Sequence, residues 1–494
     1  MVENPIIIQG GMAVGVSNFE LARAVALAGQ ELNQPVLGVV SGTGVEALLI
    51  RRLQDGDPDG HMQRALAAFP ISRITEEILK EYSGSIEKSR YHRYKLTPKP
   101  YDVFSTNEDK RRKAIGLTIV ANFAEVWLAK EGHDRPVGIN HLEKIQMLHP
   151  YRLYGAMLAG VDYVLEGAGI PIQVPGVLDN LAQNKLASYR VDILGSKDKL
   201  EATFDPWEIV PEVAAGELKR PKFLAVISSN LLAKLLTGRR VSGFVDGFII
   251  EGPKAGGHNA APRRRHEGDF VGEPVYGEED LVDLDEIASL GRPYWLAGSY
   301  ASPARLEEAF NLGAAGIQAG TVFALSEESG MSQKYKDRIR RQAYKGEVAI
   351  ITSLLASPTG YPFKVVQMEG TLSDPRVYDQ RSRICDNSHL AQAYQKESGK
   401  IGFRCPAEPI KSYLRKAGTI IEDLSLEDRS RLERSCCLCN GLLATVGLGQ
   451  VSRRGEEPPI ITLGDNTAFM RELIKEENGS YSAYDALRYL LSAR

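Results

Sequence analysis

Eight short apolar runs, each followed by a helical pattern, govern what this chain can fold into. They span residues 5–9, 36–40, 137–140, 163–165, 223–227, 247–250, 294–297 and 316–319. Within each run apolarity is continuous rather than alternating, so a strand made from it is buried on both faces, as in a parallel sheet covered by helices. Helical stretches fall between the runs, at 19–27, 45–53, 231–236 and 303–311 among others. Eight β-then-α units predict an α/β fold of the closed (β/α)8 TIM-barrel kind. An open doubly wound sheet is the competing topology.

The units are unevenly spaced. Nearly a hundred residues separate the second run from the third, and a further long connection separates the fourth from the fifth, so large insertions are expected at about 55–130 and 178–222. The first contains a charged segment at 87–113 and an apolar run at 115–130, which reads as an added strand and helix. Insertions of this length decorate a barrel or form a lid over its mouth. Beyond residue 330 the β/α rhythm fades. The expected division is a barrel over 1–330 and a mainly helical C-terminal extension over 331–494 that packs on it. The chain has no internal repeat and no low-complexity tract.

Composition narrows the function classes. A net charge of −3 over 494 residues gives no basic face for nucleic acid. Nowhere do eighteen apolar residues run together, so no membrane span is expected. The N-terminus lacks a charged n-region and a long apolar core, so no signal peptide is expected. All five cysteines lie after residue 384, an odd number unlike a disulfide framework, which favours a reducing cytoplasm. Cys436, Cys437 and Cys439, with Cys385 and Cys405 upstream, lack the paired C-x-x-C spacing of metal sites, so no metal is expected. His133, His141 and His149 form no ligand spacing and read as structural.

Four glycine-rich loops carry the candidate chemistry. The sixth run leads into Glu251-Gly252-Pro253-Lys254-Ala255-Gly256-Gly257-His258. Gly252, Gly256 and Gly257 allow close approach of backbone to a ligand. His258 is a titratable group at the C-terminal end of a strand, where barrel active sites lie. A glycine-rich turn with an exposed histidine is the alternative. The first run ends in Gln9-Gly10-Gly11-Met12, with Ser17 as a candidate N-cap for the next helix. The last two runs end in Gly298-Ser299 and in Gln318-Ala319-Gly320-Thr321, positions where barrels commonly hold a phosphate. Gly15 and the Gly42-Thr43-Gly44 run do not make the spaced glycine fingerprint of a dinucleotide fold. Arg263-Arg264-Arg265 reads as a solvated basic loop or as a capture point for an anionic substrate.

In order, these pieces resemble the nitronate monooxygenase (2-nitropropane dioxygenase) family of flavin enzymes. The resemblance covers roughly residues 5–330. It rests on Pro5-Ile6-Ile7-Ile8-Gln9-Gly10-Gly11-Met12, Val137-Gly138-Ile139-Asn140, Glu166-Gly167-Ala168-Gly169-Ile170-Pro171, Val245-Asp246-Gly247 through Ala255-Gly256-Gly257-His258, and Gly316-Ile317-Gln318-Ala319-Gly320-Thr321. The large insertions and long extension look more like a branch that includes the trans-acting flavin enoyl reductase of polyunsaturated fatty acid synthesis. The resemblance implies a TIM barrel holding FMN without a covalent bond. By it, Gly10, Gly11 and Met12 lie beside the flavin ring and Asn140 bonds its polar edge. Gly256, Gly257, Gly298, Ser299, Gln318, Gly320 and Thr321 hold ring, ribityl chain and phosphate, and His258 matches the catalytic histidine. Ser299 departs from the pattern, which has a second glycine there, and Lys254 stands where an acidic residue is usual. Three activities follow: oxidation of an alkyl nitronate by O2, reduction of an enoyl thioester by NAD(P)H, and service as a flavin-binding subunit of a biosynthetic complex. In the first, His258 acts as general base toward the nitroalkane α-carbon or orients the bound nitronate, which a pKa near working pH suits. The substrate is a small molecule in each catalytic case, and homo-oligomerisation is left open.

Overall fold

The computed structural model describes residues 4–84, 93–264, 272–453 and 455–492. Residues 1–3, part of the 87–113 segment and Arg265 therefore lie outside the described residues.

Each of the eight runs forms a strand: β1 (Ile7–Gln9), β2 (Val36–Ser41), β3 (Val137–Leu142), β4 (Tyr163–Gly167), β5 (Lys222–Ile227), β6 (Gly247–Glu251), β7 (Tyr294–Ala297) and β8 (Gly316–Ala319). All pair in parallel with their sequence neighbours, and β8 returns to β1 with Ile7 beside Ile317, closing the barrel. β1, β2, β4 and β7 are buried at every residue, as continuous apolarity requires. Ile8, Val39, Leu165, Leu224, Ile249 and Trp295 pack as a separate core cluster. Trp295 also donates its indole N–H to the Pro5 carbonyl at 2.6 Å. A barrel filled this way is a core and not a channel, which leaves the strand C-termini as the place for a site.

Local signals account for the first βα connection with one correction. Helix Phe19–Glu31 is capped by Asn18, whose side chain accepts from Leu21 N–H at 2.9 Å, and not by Ser17. The Ser17 hydroxyl instead accepts from Met12 N–H and donates to the Gly10 carbonyl, both at 3.0 Å, and so ties down the loop after β1.

The first insertion is helical, with Val45–Gln54, His61–Ala68, Ser72–Tyr82 and Glu108–Lys130. Its apolar run holds no strand: residues 108–130 are one helix of 23 residues. That helix packs against Val45–Gln54 and His149–Leu158 and is buried continuously from Ala114 to Val126. Burial on every side removes the amphipathic period that marks a helix in sequence. The second insertion is an antiparallel hairpin, Ala187–Leu194 with Lys199–Phe204.

Past residue 330, helices predominate but short hairpins intervene, including Ile350–Ser353 with Phe363–Val366 and Gln392–Gln395 with Ile401–Arg404. The latter joins the second insertion edge to edge, with Ala393 beside Ile193. The last helix, Ala483–Leu490, packs on Phe19–Glu31, and the extension shares one hydrophobic core with the barrel's outer shell. Among the described residues no helix is long and apolar enough to cross a membrane.

Candidate active site

A cavity of about 210 Å³ lies at the C-terminal ends of the strands. It brings together Gly10, Gly11 and Met12 after β1, Asn140 on β3, and Gly256, Gly257 and His258 after β6. Gly298 and Ser299 after β7, with Gln318, Gly320 and Thr321 at the end of β8, complete the sequence-derived set. Residues scattered over more than 300 positions are neighbours because each sits at the same end of a parallel strand.

Bare backbone is needed at several of these positions. A Cβ on Gly11 would run into Asn140 Cβ, so loop and asparagine are in direct contact. Gly298 and Ser299 both adopt left-handed backbone, at φ 84° and 71°. For a serine this costs about 1 kcal/mol or more, which gives the physical reason a glycine is usual there. The Ser299 hydroxyl and Gln318 Oε1 are buried without a hydrogen-bond partner in the protein. Buried polar atoms left unpaired are expensive, and both of these line the cavity.

The extension closes the other side. Phe363, Leu442, Thr462, Leu463, Gly464 and Asn466 line the cavity, and neither insertion does so among the described residues. The glycine–histidine loop is clamped between two extension segments. Gly257 N–H donates to Thr462 Oγ1 at 2.7 Å, and Asp465 N–H to the Lys254 carbonyl at 3.1 Å. Lys364 N–H donates to the Gly257 carbonyl and Asn259 N–H to that of Pro362, both at 2.9 Å. Gly464 N–H reaches the Thr321 hydroxyl at 2.9 Å. Gly256 is thus a glycine for a reason the sequence did not supply. A Cβ there would lie 2.9 Å from Gly464 N and from the Leu463 carbonyl carbon.

His258 Nε2 shares a 2.7 Å hydrogen bond with the buried Ser357 hydroxyl, which in turn contacts Thr359 Oγ1 at 2.7 Å. Its ring meets Phe363 edge-on, with centroids 4.9 Å apart. Burial, helped by the charge of Lys144, pushes its pKa down to about 4. The ring is therefore neutral at pH 7, which corrects the expectation of a pKa near working pH. Glu251, at the end of β6, was missed. It lines the cavity, and burial pushes its carboxyl up to about 8, so it is protonated at neutral pH. An acidic residue at the C-terminal end of a barrel strand was the available signal.

The other sequence readings divide. His141, read as structural, lines the cavity with both ring nitrogens unpaired. Burial and the charge of Arg152 hold its pKa well below the ordinary value. His149 is structural: it bonds Glu166 and stacks on Tyr189 with centroids 4.1 Å apart. His133 accepts or donates only locally, with Nε2 2.8 Å from the Ala129 carbonyl oxygen. Arg263 and Arg264 do not reach the cavity; Arg264 is exposed and pairs with Glu279 at 3.2 Å. The five cysteines are free thiols. Tertiary folding gathers four of them: Cys405 and Cys437 hydrogen-bond to Cys385, which lowers its pKa, and Cys437 also meets Cys439. Among the described residues no group of three or more side chains is arranged to hold a metal ion.

A closed (β/α)8 barrel with a glycine-lined cavity at its strand C-termini defines the class of molecule. The chain is similar to nitronate monooxygenases, as its motifs indicate. A probable nitronate monooxygenase of Staphylococcus saprophyticus subsp. saprophyticus is 26% identical over 193 residues, which are 39% of this chain and 52% of that protein. The chain thus spans about half the length of the curated relative it matches. The chain matches no family model. Among solved structures, FabK of Thermotoga maritima aligns at 17% identity and a TM-score of 0.42, covering 99% of this chain and 92% of its own. Nitroalkane oxidase of Streptomyces ansochromogenes aligns at 14% and 0.43, covering 100% and 97%. The enoyl reductase domain of MlnA from Bacillus amyloliquefaciens aligns at 12% and 0.46, covering 99% and 94%. TM-scores below 0.5 give these alignments no weight for function.

Proposed function

We propose that this protein is an FMN-dependent oxidoreductase that oxidises alkyl nitronates with O2 to a carbonyl compound and nitrite. The observation that carries the reading is the convergence of all four glycine loops, Asn140 and His258 on one cavity. The residues present suit the cofactor. Gly10 and Gly11 let the Gln318 and Asn140 side chains pack directly against the loop after β1, and the unpaired Ser299 hydroxyl and Gln318 Oε1 need partners that a polar ligand provides. The Thr321 hydroxyl accepts from Gly464 and keeps its own proton to donate. When bound, FMN supplies the electron transfer, and the protein supplies position and electrostatics.

The state of His258 favours a nitronate over a nitroalkane. A neutral imidazole with a pKa of about 4 is a weak base for a carbon acid. It is well suited to hydrogen-bond an anion that has already lost its proton. The Lys144 charge that helps depress His258 also attracts such an anion. Enoyl-thioester reduction by NAD(P)H has one observation of its own in support: the Glu251 carboxyl, protonated at neutral pH, can deliver a proton in the cavity.

Anaerobic flavin reduction separates the readings. The expected result is a yellow protein whose flavin is bleached by alkyl nitronate and recovers with O2 alone. Bleaching only by NAD(P)H, with recovery on an enoyl thioester, selects the reductase. Failure to take up FMN overturns both.

A further inference from the structure

The cavity has a side chamber. A smaller space of about 40 Å³ adjoins it where Thr43, Leu142, His258 and Leu442 line both. Its far wall comes mainly from the extension, through Leu390, Leu438, Cys439 and Leu443, with Ile145 from the barrel. The surface it exposes is apolar, although His389, whose buried ring nitrogens have no partner, also borders it. Leu438, Cys439, Leu442 and Leu443 belong to one helix, Leu438–Thr445, so a single element outside the barrel supplies one whole side of the chamber.

We propose that this chamber is the specificity subsite of the enzyme and receives the non-reacting alkyl end of the substrate. The inference rests on the monooxygenase reading above for the identity of the reacting group. A substrate whose reacting carbon faces His258 has this chamber as its adjoining apolar space. A dry cavity of about 150 Å³ accommodates benzene, so one roughly a quarter of that size accommodates about one to three carbons. A charged end loses its water on entering so small a space and is disfavoured. Long acyl chains do not fit. In a pocket of this kind each methylene gained or lost changes kcat/KM by about tenfold or more.

The test uses FMN-loaded protein and the nitronates of ethane, propane, butane, pentane and hexane. The expected kcat/KM rises by about tenfold for each methylene added from ethane up to an optimum at propane or butane and falls again by hexane. Leu443→Ala, which enlarges the chamber and leaves the cofactor cavity untouched, moves the optimum one or two carbons longer. A flat length profile in the wild type, or an unchanged optimum in L443A, overturns the proposal. Xenon, followed by 129Xe NMR, gives a readout without turnover. It is expected to bind the wild type, to be displaced by propane nitronate, and to be lost in Cys439→Leu, which fills the chamber. A wild type that turns over no nitronate refutes the underlying reading alone. In that case xenon binding lost in C439L retains the apolar subsite, and no xenon binding to the wild type refutes it.

Discussion

On the barrel side of the cavity the lining is glycines at 10, 11, 256, 257, 298 and 320 and Asn140, Ser299, Gln318 and Thr321, together with larger side chains such as Met12, Leu142, Val226 and Tyr300. On the extension side it is Phe363, Leu442 and Leu463, with Thr462 and Gly464 holding the two sides together. The first side offers close approach and hydrogen bonds to any flat polar ligand. The second excludes water and limits shape. On the proposed function, cofactor binding falls to the barrel and substrate choice to the extension, and each half of that proposal can be broken separately.

The largest effect is expected at His258. On the proposed reading His258→Ala removes a hydrogen bond to the substrate anion, worth about 1.5–3 kcal/mol, and should lower kcat/KM by roughly 10- to 150-fold while the flavin stays bound. Near wild-type turnover in that variant, measured by steady-state kinetics, would remove His258 from the chemistry. Next come the adjacent glycines. Gly256→Ala forces backbone of the extension away from the loop and should cost about 1–3 kcal/mol, with faster FMN loss. Gly257→Ala meets nothing within 4 Å and is burdened only by its φ of 79°, so it should cost about 1 kcal/mol. Equal urea midpoints for the two variants would mean that the extension does not press on this loop.

Glu251 tests the dryness of the cavity. Its folded pKa of about 8 lies above the unfolded value of 4.5, so the folded state holds the proton more tightly. Stability from this group is complete below pH 4.5 and is lost as pH rises toward 8. Glu251→Gln cannot titrate. It should match the wild type at pH 5 and exceed it at pH 9 by about 1–3 kcal/mol, a range discounted for partial exposure. A constant gap between the two urea titrations across this range would mean a wet, open site. The smallest effect is expected at Ser299. Ser299→Gly relieves left-handed strain, offset by added unfolded-state freedom, and should change stability by less than about 1 kcal/mol. It should also loosen FMN, since the unpaired hydroxyl is gone. Unchanged cofactor affinity by fluorescence titration would leave that hydroxyl without a role.

How legible each part was follows from what made it. All eight strands were readable because burial on both faces forces continuous apolarity. The 108–130 helix was misread for the same reason, since burial all round also erases periodicity. The cap went to Asn18 because Ser17 was already spent on Gly10 and Met12. Glu251 stood in a quoted motif and His141 immediately after one, but their titration depends on burial that only folding creates.

The sequence by itself marked the eight strands and the glycine loops that follow them, since these come from local pattern; closure into a barrel rather than an open sheet was decided in the tertiary structure, where β8 returns to β1. Tertiary structure alone decided what closes the cavity. Segments 362–364 and 462–465 are Pro-Phe-Lys and Thr-Leu-Gly-Asp, joined by a Lys364–Asp465 ion pair at 2.7 Å, and nothing local marks them as partners of a loop some 100 and 200 positions earlier. Tertiary structure also decided the charge on the cavity's titratable groups. A side chain's ordinary pKa belongs to water, and His258 and Glu251 have left it.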